Sequence, residues 1–494
     1  MGYYLGIDLG TSSTKSLLML ADGLILGSAQ EGYDFSQPAL GYAEQDPEVL
    51  WLAVRRTVQQ LTADYPKEMA QLKGIGYSGQ MHGLVMLDAD NRPLSNIIIW
   101  PDIRSTQEIA EIYQTVPWDE YNRIILNPLC TGYQVSSLAW VRKHRPELYA
   151  RTAKIVFPKD YIRYLMTGNI GVESSDASGG ALFDTSRRQW SWELIDRLGF
   201  RRDIFPECHE SYELAGLITE ECAALTGLRA GVRVAFGGGD TIMQQVGNGM
   251  VSDNGVWVSN IGTSNQLSCA VSRPVYDTQY RSNTFCHVHE KLWMMMGANV
   301  TGGLAQKWLK EKVLHMQDYR DWDREASQVP PGSDGLLFLP YLSGARCPHN
   351  DANAKGIYFG LQLGHTRAHL IRSNMEGIIF SLMDCYRVFQ SCGMEPDRLL
   401  ASGGGARSEL MLHIQADMYN REIYTNLGKE QSCIGAAVAA AVCAGEYRDY
   451  EEACAQIVRY SDTVIKPDKE NHKVYLERFE VYRQLYDHTK DLLS

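Results

Sequence analysis

The same short turn, Gly-Thr-Ser between two strand-like runs, occurs once in each half of this chain. The first copy lies in Gly6-Ile7-Asp8-Leu9-Gly10-Thr11-Ser12-Ser13-Thr14-Lys15, the second in Ser259-Asn260-Ile261-Gly262-Thr263-Ser264-Asn265. Glycine lets a backbone turn tightly and come close to an anion. Exposed N–H groups in such a turn form a small anion-binding hollow, and Thr and Ser hydroxyls add donors. Two copies in separate halves imply two lobes that grip one polyphosphate between them.

A chain of 494 residues is long enough for two or three domains. The net charge of −12 argues against a nucleic-acid partner, which would need a basic face. A phosphate site must then be local, built from backbone N–H groups and a few cations. The 11 cysteines are an odd number without CxxC spacing, so neither a disulfide framework nor a zinc site is readable. Free thiols, and a start that enters a strand with no basic leader, lead us to expect a cytoplasmic protein. The longest apolar run, Ile434 to Cys443, is too short to span a bilayer and reads as a buried helix, so no membrane partner is expected.

The pattern along the chain predicts strands at Tyr4–Leu9, Ser16–Met19 and Leu24–Leu26. A helix begins at Asp46-Pro47-Glu48, with a capping Asp and Pro at the first position. Strands are predicted at Ile75–Tyr77, Leu84–Leu87 and Ile97–Trp100, the last two forming a hairpin around Asp90-Asn91. After a mostly helical stretch, Val232–Phe236 reads as a buried strand ending in Gly237-Gly238-Gly239-Asp240. The second half repeats the theme, with strands at Gly255–Ile261, Trp293–Gly297 and Leu336–Leu339, helices from Arg367 to Gln390, and a strand into Gly403-Gly404-Gly405. Two amphipathic helices, Tyr450–Arg459 and Lys473–Leu493, close the chain. The expected division is 1–247, 248–450 and a helical extension over 451–494.

Several residues are candidates for chemistry. Asp8, between a strand and the first turn, can hold Mg²⁺ beside phosphates or cap the turn itself. Lys15 can neutralise phosphate or be an ordinary surface lysine. Asp240 stands at the C-terminal end of a strand, where open α/β sheets place ligands. Its carboxylate can take a proton from a hydroxyl attacking phosphorus, the role of the catalytic-loop Asp in protein kinases, or can cap a helix. An ordinary Asp is ionised at neutral pH, so this base is expected to need no unusual pKa. Gly403-Gly404-Gly405-Ala406 can lie flat against a nucleoside or be a plain strand-to-helix turn. Gln80 and His82, and the segment Trp100-Pro101-Asp102-Ile103-Arg104, offer groups suited to a polyhydroxylated ligand; the other reading is a structural His and a surface ion pair beside a buried Trp.

Taken together and in order, these segments resemble the FGGY carbohydrate kinases. Pro158-Lys159-Asp160-Tyr161, Phe338-Leu339-Pro340-Tyr341-Leu342-Ser343-Gly344 and Gly435-Ala436-Ala437 add to the match, which runs to about residue 445. The resemblance implies an α/β protein with two actin-like, ribonuclease-H-like domains around a deep cleft that takes ATP and Mg²⁺. By position it implies Asp240 as general base and Asp8 as the acid that positions the metal, with Asp240 beside it. It implies Thr11, Ser12, Lys15, Gly262, Thr263 and Ser264 as phosphate contacts, and Gly403, Gly404 and Ala406 as the nucleotide contact. Met81 and His82 resemble the sugar-contacting pair of the members that phosphorylate xylulose, with Trp100 and Asp102 beside them. The implied reaction is phosphorylation of a ketopentose, D-xylulose first, at its terminal hydroxyl. Ribulose, L-xylulose or glycerol is the alternative substrate, and an actin-like ATPase acting on a protein partner the alternative class. A homodimer is common in the family. The chain departs from the family pattern at Pro101, Thr241, Ser137 and Ala345-Arg346-Cys347-Pro348.

Overall fold

The computed structural model describes residues 2–492. Strand β1 (Tyr3–Leu9) turns into β2 (Ser13–Leu20) and β3 (Ile25–Gly32) as an antiparallel meander. Helix α1 (Pro47–Asp64) crosses over, its N-cap Asp46 accepting from the Glu48 N–H as the sequence signals. Strand β4 (Leu72–Gly79) then pairs parallel to β1. Helices α2 (Pro158–Thr167) and α3 (Ser174–Gly179) follow in the long middle stretch. Strands β5 (Leu214–Leu217), β6 (Arg233–Ala235) and β7 (Gly238–Gly239) complete the first sheet, with β6 and β7 both parallel to β4. Its order is β5-β6-β4-β1-β2-β3, with β7 paired to β4.

After helix α4 (Asp240–Gly247) the plan repeats. Strands β8 (Val256–Ile261) and β9 (Asn265–Val271) form a hairpin, extended by β10 (Asn283–Cys286) and β11 (Trp293–Asn299). The single helix α5 (Arg367–Ser391) leads to β12 (Arg398–Ser402), parallel to β8. Helix α6 (Glu409–Tyr419) leads to β13 (Ile423–Thr425), parallel to β12. Each sheet therefore has a hairpin whose first strand is followed outward by two parallel strands, the actin-like arrangement made twice.

The joint between the sheets is built by glycine and alanine. Helix α7 (Gln431–Ala444) lies on the first sheet against β1 and β4. A Cβ at Gly6 or at Gly76, which are paired across β1 and β4, would stand 1.9 Å from the Cys433 or Ala436 carbonyl oxygen. A Cβ at Gly435 would stand 2.0 Å from the Met243 carbonyl oxygen, so α4 and α7 also cross in direct contact. Ile242, Met243 and Val246 of α4 join Val258, Leu400 and the alanines of α7 in one apolar layer between the sheets. The run at 434–443 is thus the buried helix expected. Among the described residues no helix is long and apolar enough to cross a membrane.

Three expectations change. The strands on either side of Asp90-Asn91 do not chiefly pair with each other: Val85–Leu87 pairs with Lys154–Val156, and Ile97–Ile98 with Glu44–Gln45. Their short apolar runs fit any pleated neighbour, and distant segments provide a better one. The apolar stretch from Arg367 is one 25-residue helix. The closing helices do not form one extension: α8 (Tyr450–Ile457) packs against α7, while α9 (Lys469–Thr489) packs on α6 and α5. Part of the predicted second helix, from Leu493, lies outside the described residues.

Candidate active site

Three neighbouring parallel chains end at one edge of the first sheet. Asp8 on β1 is paired with Ser78 on β4, which is paired in turn with Gly238 on β7, two residues before Asp240. The Ser78 hydroxyl donates to Asp8 Oδ1 at 2.6 Å. Gly237 has φ 79°, and a Cβ there would lie 2.3 Å from the Tyr77 carbonyl oxygen, so the bend that delivers Asp240 requires glycine. Asp240 opens α4, and its Oδ1 accepts from the Thr241 N–H at 2.6 Å and the Thr241 hydroxyl at 3.2 Å. Thr241 is one of the departures from the family pattern, and it bonds the proposed base directly.

Asp240 does not keep the ordinary carboxylate pKa expected of it. Burial first, and then the charge of Asp8, push it up to about 7 against the two Thr241 bonds. Asp8 is raised too, by burial, with the Ser78 hydrogen bond and Lys15 opposing and Glu430 adding to the rise. Two buried carboxylates, one raised by the charge of the other, make a site short of positive charge. A hard divalent cation such as Mg²⁺, which takes oxygen ligands, fits Asp8 and Asp240. Lys15, expected at phosphate, has its Nζ on the Glu430 carboxylate at the start of α7.

Met81 and His82 follow β4. Met81 is buried against the Gly239 and Gly179 backbones, where a Cβ would lie 2.7 Å and 3.0 Å from its side chain. His82 stacks on Tyr133 with ring centroids 4.3 Å apart. Its Nδ1 lies 2.7 Å from the Gly179 carbonyl oxygen, to which it donates. Burial, with help from Arg346 of the second lobe, lowers its pKa to about 4 against the Gly179 bond. The ring is neutral at physiological pH, and Nε2 carries a lone pair that accepts from a hydroxyl.

The Trp100 segment is arranged differently from either sequence reading. Trp100 is 39% exposed, and its indole N–H donates to the Thr11 hydroxyl at 2.9 Å. Asp102 is 1% exposed and turned to its own chain. It accepts from the Ala43 N–H at 2.7 Å, from the Arg104 N–H at 3.0 Å and from the Arg104 guanidinium. With those donors in place, Asp102 shapes the segment and is not available to a sugar. Ser137 is likewise buried, within helix Gln134–His144.

The second turn lies at the matching edge of the second sheet. Gly262, Thr263 and Ser264 link β8 to β9, and the Gly262 N–H donates to the Ser264 carbonyl at 2.9 Å. Thr263 and Ser264 are exposed. Gly403, Gly404 and Ala406 follow β12 on the adjacent parallel chain. Gly403 has φ 77°, and a Cβ there would meet Asn260 Oδ1 at 2.6 Å.

The sequence reading missed three supports. Gln45 and Gln80 hold the first turn: Gln45 Nε2 donates to the Thr11 carbonyl at 2.6 Å, and Gln80 Nε2 to Gln45 Oε1 at 2.6 Å. Gly302 and Gly303 brace the second turn, donating to the Thr263 and Gly262 carbonyls at 3.0 and 2.8 Å. The Gly-Gly pair after a strand was the available signal. Beneath the first site lies a buried ion cluster, Lys159 with Asp160, Glu173 and Asp176 at 2.9, 3.1 and 3.0 Å. Lys159 and Asp160 lie in the segment matched above, but nothing local ties them to Glu173 and Asp176, which join them only in the fold.

Paired acids at the end of one actin-like sheet, with a matching glycine turn at the end of the other, are the arrangement of a phosphotransferase. Residues 3–247 match the N-terminal domain of the FGGY family of carbohydrate kinases and residues 258–444 its C-terminal domain. The chain belongs to that family and is a sugar kinase. It is 34% identical over 495 residues to the xylulose kinase of Bacillus subtilis, covering 100% of this chain and 98% of that protein. A crystal structure described as a xyloylose kinase from Brucella ovis superposes with a TM-score of 0.93 at 34% identity, over 99% of this chain and 100% of the other. A gluconate kinase from Lactobacillus acidophilus also reaches 0.93, at 25% identity, over 99% and 98%. Equal likeness to enzymes named for different sugars means that the fold alone does not select the acceptor.

Proposed function

We propose that this protein transfers the γ-phosphoryl group of ATP to the terminal hydroxyl of D-xylulose, giving D-xylulose 5-phosphate and ADP. The observation that carries the reading is the convergence of Asp8 and Asp240 at one sheet edge, with His82 beside them on the loop after β4. The hydroxyl oxygen forms a bond to the γ-phosphorus as the bond from that phosphorus to the β,γ-bridging oxygen breaks. The hydroxyl proton passes to the Asp240 carboxylate, and the electron pair leaves with ADP. Neutral His82 accepts a sugar hydroxyl through Nε2 and Met81 offers an apolar wall, while the turns at Gly10–Ser12 and Gly262–Ser264 supply N–H and hydroxyl donors to the phosphates. Asp8 and Asp240 would hold Mg²⁺, which when bound would supply charge neutralisation to the transferring group. Closure of the lobes excludes water, which would otherwise compete as acceptor.

Thr241 favours keeping a second substrate reading. Its hydroxyl is committed to Asp240, and it lacks the side-chain amide of the Asn that often follows this Asp in the resembled family, so another ketose or a polyol is the alternative acceptor. ADP release measured over a panel of pentuloses, polyols and hexoses separates these readings. Release with D-xylulose well above all others is expected. A different preferred sugar selects the alternative, and a flat, sugar-independent rate defeats both in favour of an actin-like ATPase.

A further inference from the structure

Helix α3 is buried along its whole length, and its polar groups bond His82 and the residue before Asp240. The Ser175 hydroxyl accepts at 3.0 Å from the N–H of Gly239, the residue directly before Asp240. One residue on, Asp176 Oδ1 accepts from the His82 N–H at 3.4 Å. At the end of the same helix, the Gly179 carbonyl accepts from His82 Nδ1 at 2.7 Å. His82 has φ 75°, a left-handed conformation that a non-glycine residue keeps only under restraint, and two of its bonds go to α3. The helix also reaches the other lobe, since the Ser178 hydroxyl accepts from the Cys286 N–H of β10 at 3.0 Å.

The helix is itself fixed from below. The Glu173 carboxylate caps it, accepting from the Ser175 and Asp176 N–H groups at 2.7 and 2.9 Å. The same carboxylate and that of Asp176 pair with Lys159, which leaves solvent entirely. A cluster of this kind has few alternative arrangements, so the helix it holds cannot drift.

From this geometry we infer that α3 is the common jig for both sugar-side groups, and that Ser175 is a positioning residue for Asp240. Gly238 and Gly239 pair with β4 but have no side chains to fix them further, and Ser175 adds a restraint from a neighbouring element. The inference rests on the reading of Asp240 as the base of a sugar kinase.

The test is Ser175→Ala in the full chain, assayed with the sugar that the wild type prefers. A displaced base predicts kcat lower by ~10- to 100-fold, with ATP affinity by calorimetry within about twofold of wild type. Hydrogen exchange in a peptide spanning residues 236–243 should quicken, while the remaining peptides keep their protection. Ser175→Cys, which fills the same space with a weaker acceptor, should fall between the two and replaces the alanine variant if that fails to fold. A kcat within twofold of wild type overturns the inference. So does a loss of kcat, ATP affinity and thermal stability together, which marks a purely structural serine. Absence of sugar-dependent ADP release from the wild type would instead sink the kinase reading, and is seen before any variant is made.

Discussion

The two Gly-Thr-Ser turns occupy the same place in their sheets and differ in charge. In the first lobe Asp8 precedes the turn and is paired across the parallel strand with Ser78. In the second, Asn260 takes the place of Asp8 and is paired with Ser402. The next parallel chain of the first sheet leads to Asp240 at the head of α4, while that of the second leads to Gln431 at the head of α7. The first turn is also tied down, with its Thr11 hydroxyl held by Trp100 and Gln80, whereas Thr263 and Ser264 have no side-chain hydrogen-bond partner among the described residues. One scaffold used twice gives an acidic half at Asp8 and Asp240 and a neutral half whose Thr263 and Ser264 hydroxyls are exposed.

That contrast can be broken most severely at the base. Asp240→Asn keeps the shape and removes the proton acceptor, so kcat should fall by at least ~10²- to 10⁴-fold, with ATP binding retained in calorimetry. Near-normal turnover would refute the division of labour between the lobes.

Making the first turn resemble the second is the next test. Asp8→Asn should cost activity on the order of 100-fold and raise the Mg²⁺ concentration needed for half-maximal rate, because one of two oxygen ligands loses its charge. Removing the charge of Asp8 should also lower the pKa of Asp240, which that charge helps to push up to about 7. The acid limb of kcat/KM is expected near pH 7 at low Mg²⁺, with activity gained as pH rises. The limb should move to lower pH in Asp8→Asn and with added Mg²⁺. A midpoint indifferent to both would show that the two carboxylates do not sense each other.

The same raised pKa sets the sign of a stability effect. Folded Asp240 keeps a proton that the unfolded chain releases from about pH 4 upward, so its contribution to stability is largest below the unfolded value and is lost as pH rises through about 7. Without metal, Asp240→Asn should therefore melt higher than wild type at about pH 8, and the gain should vanish toward pH 4. A constant difference across pH would contradict this.

Making the second turn resemble the first should do less. Asn260→Asp puts a carboxylate where phosphate is expected, and a like charge at partly screened distance should weaken ATP about tenfold, read as KM for ATP. Trp100→Phe, which removes only the N–H that steadies Thr11, should change kcat/KM by no more than ~10-fold, the worth of one hydrogen bond.

Much of this was legible in the chain, and the reasons are local. A glycine turn between strands is set by a few neighbouring residues, so both Gly-Thr-Ser turns, the Gly237–Asp240 bend and the helix start at Asp46 could be found by reading along. The hairpin at Asp90-Asn91 was misread because a short apolar strand accepts many partners. A carboxylate beside Trp and Arg does not announce which donors will surround it, so the bond from the Ala43 N–H to Asp102 is visible only in the fold.

The sequence alone determined the pieces: two matched turns, an acid at the end of each of two strands of the first lobe, and a small-residue helix fit for close packing. Tertiary structure decided what those pieces do. It placed Asp8 near Asp240, and burial with like charge then raised the proton affinity of Asp240. It closed α7 onto Gly6 and Gly76, and gathered Lys159, Glu173 and Asp176 beneath the helix that holds Gly239 and His82. Backbone conformation depends on neighbours in the chain, whereas proton affinity and side-chain restraint depend on neighbours in space.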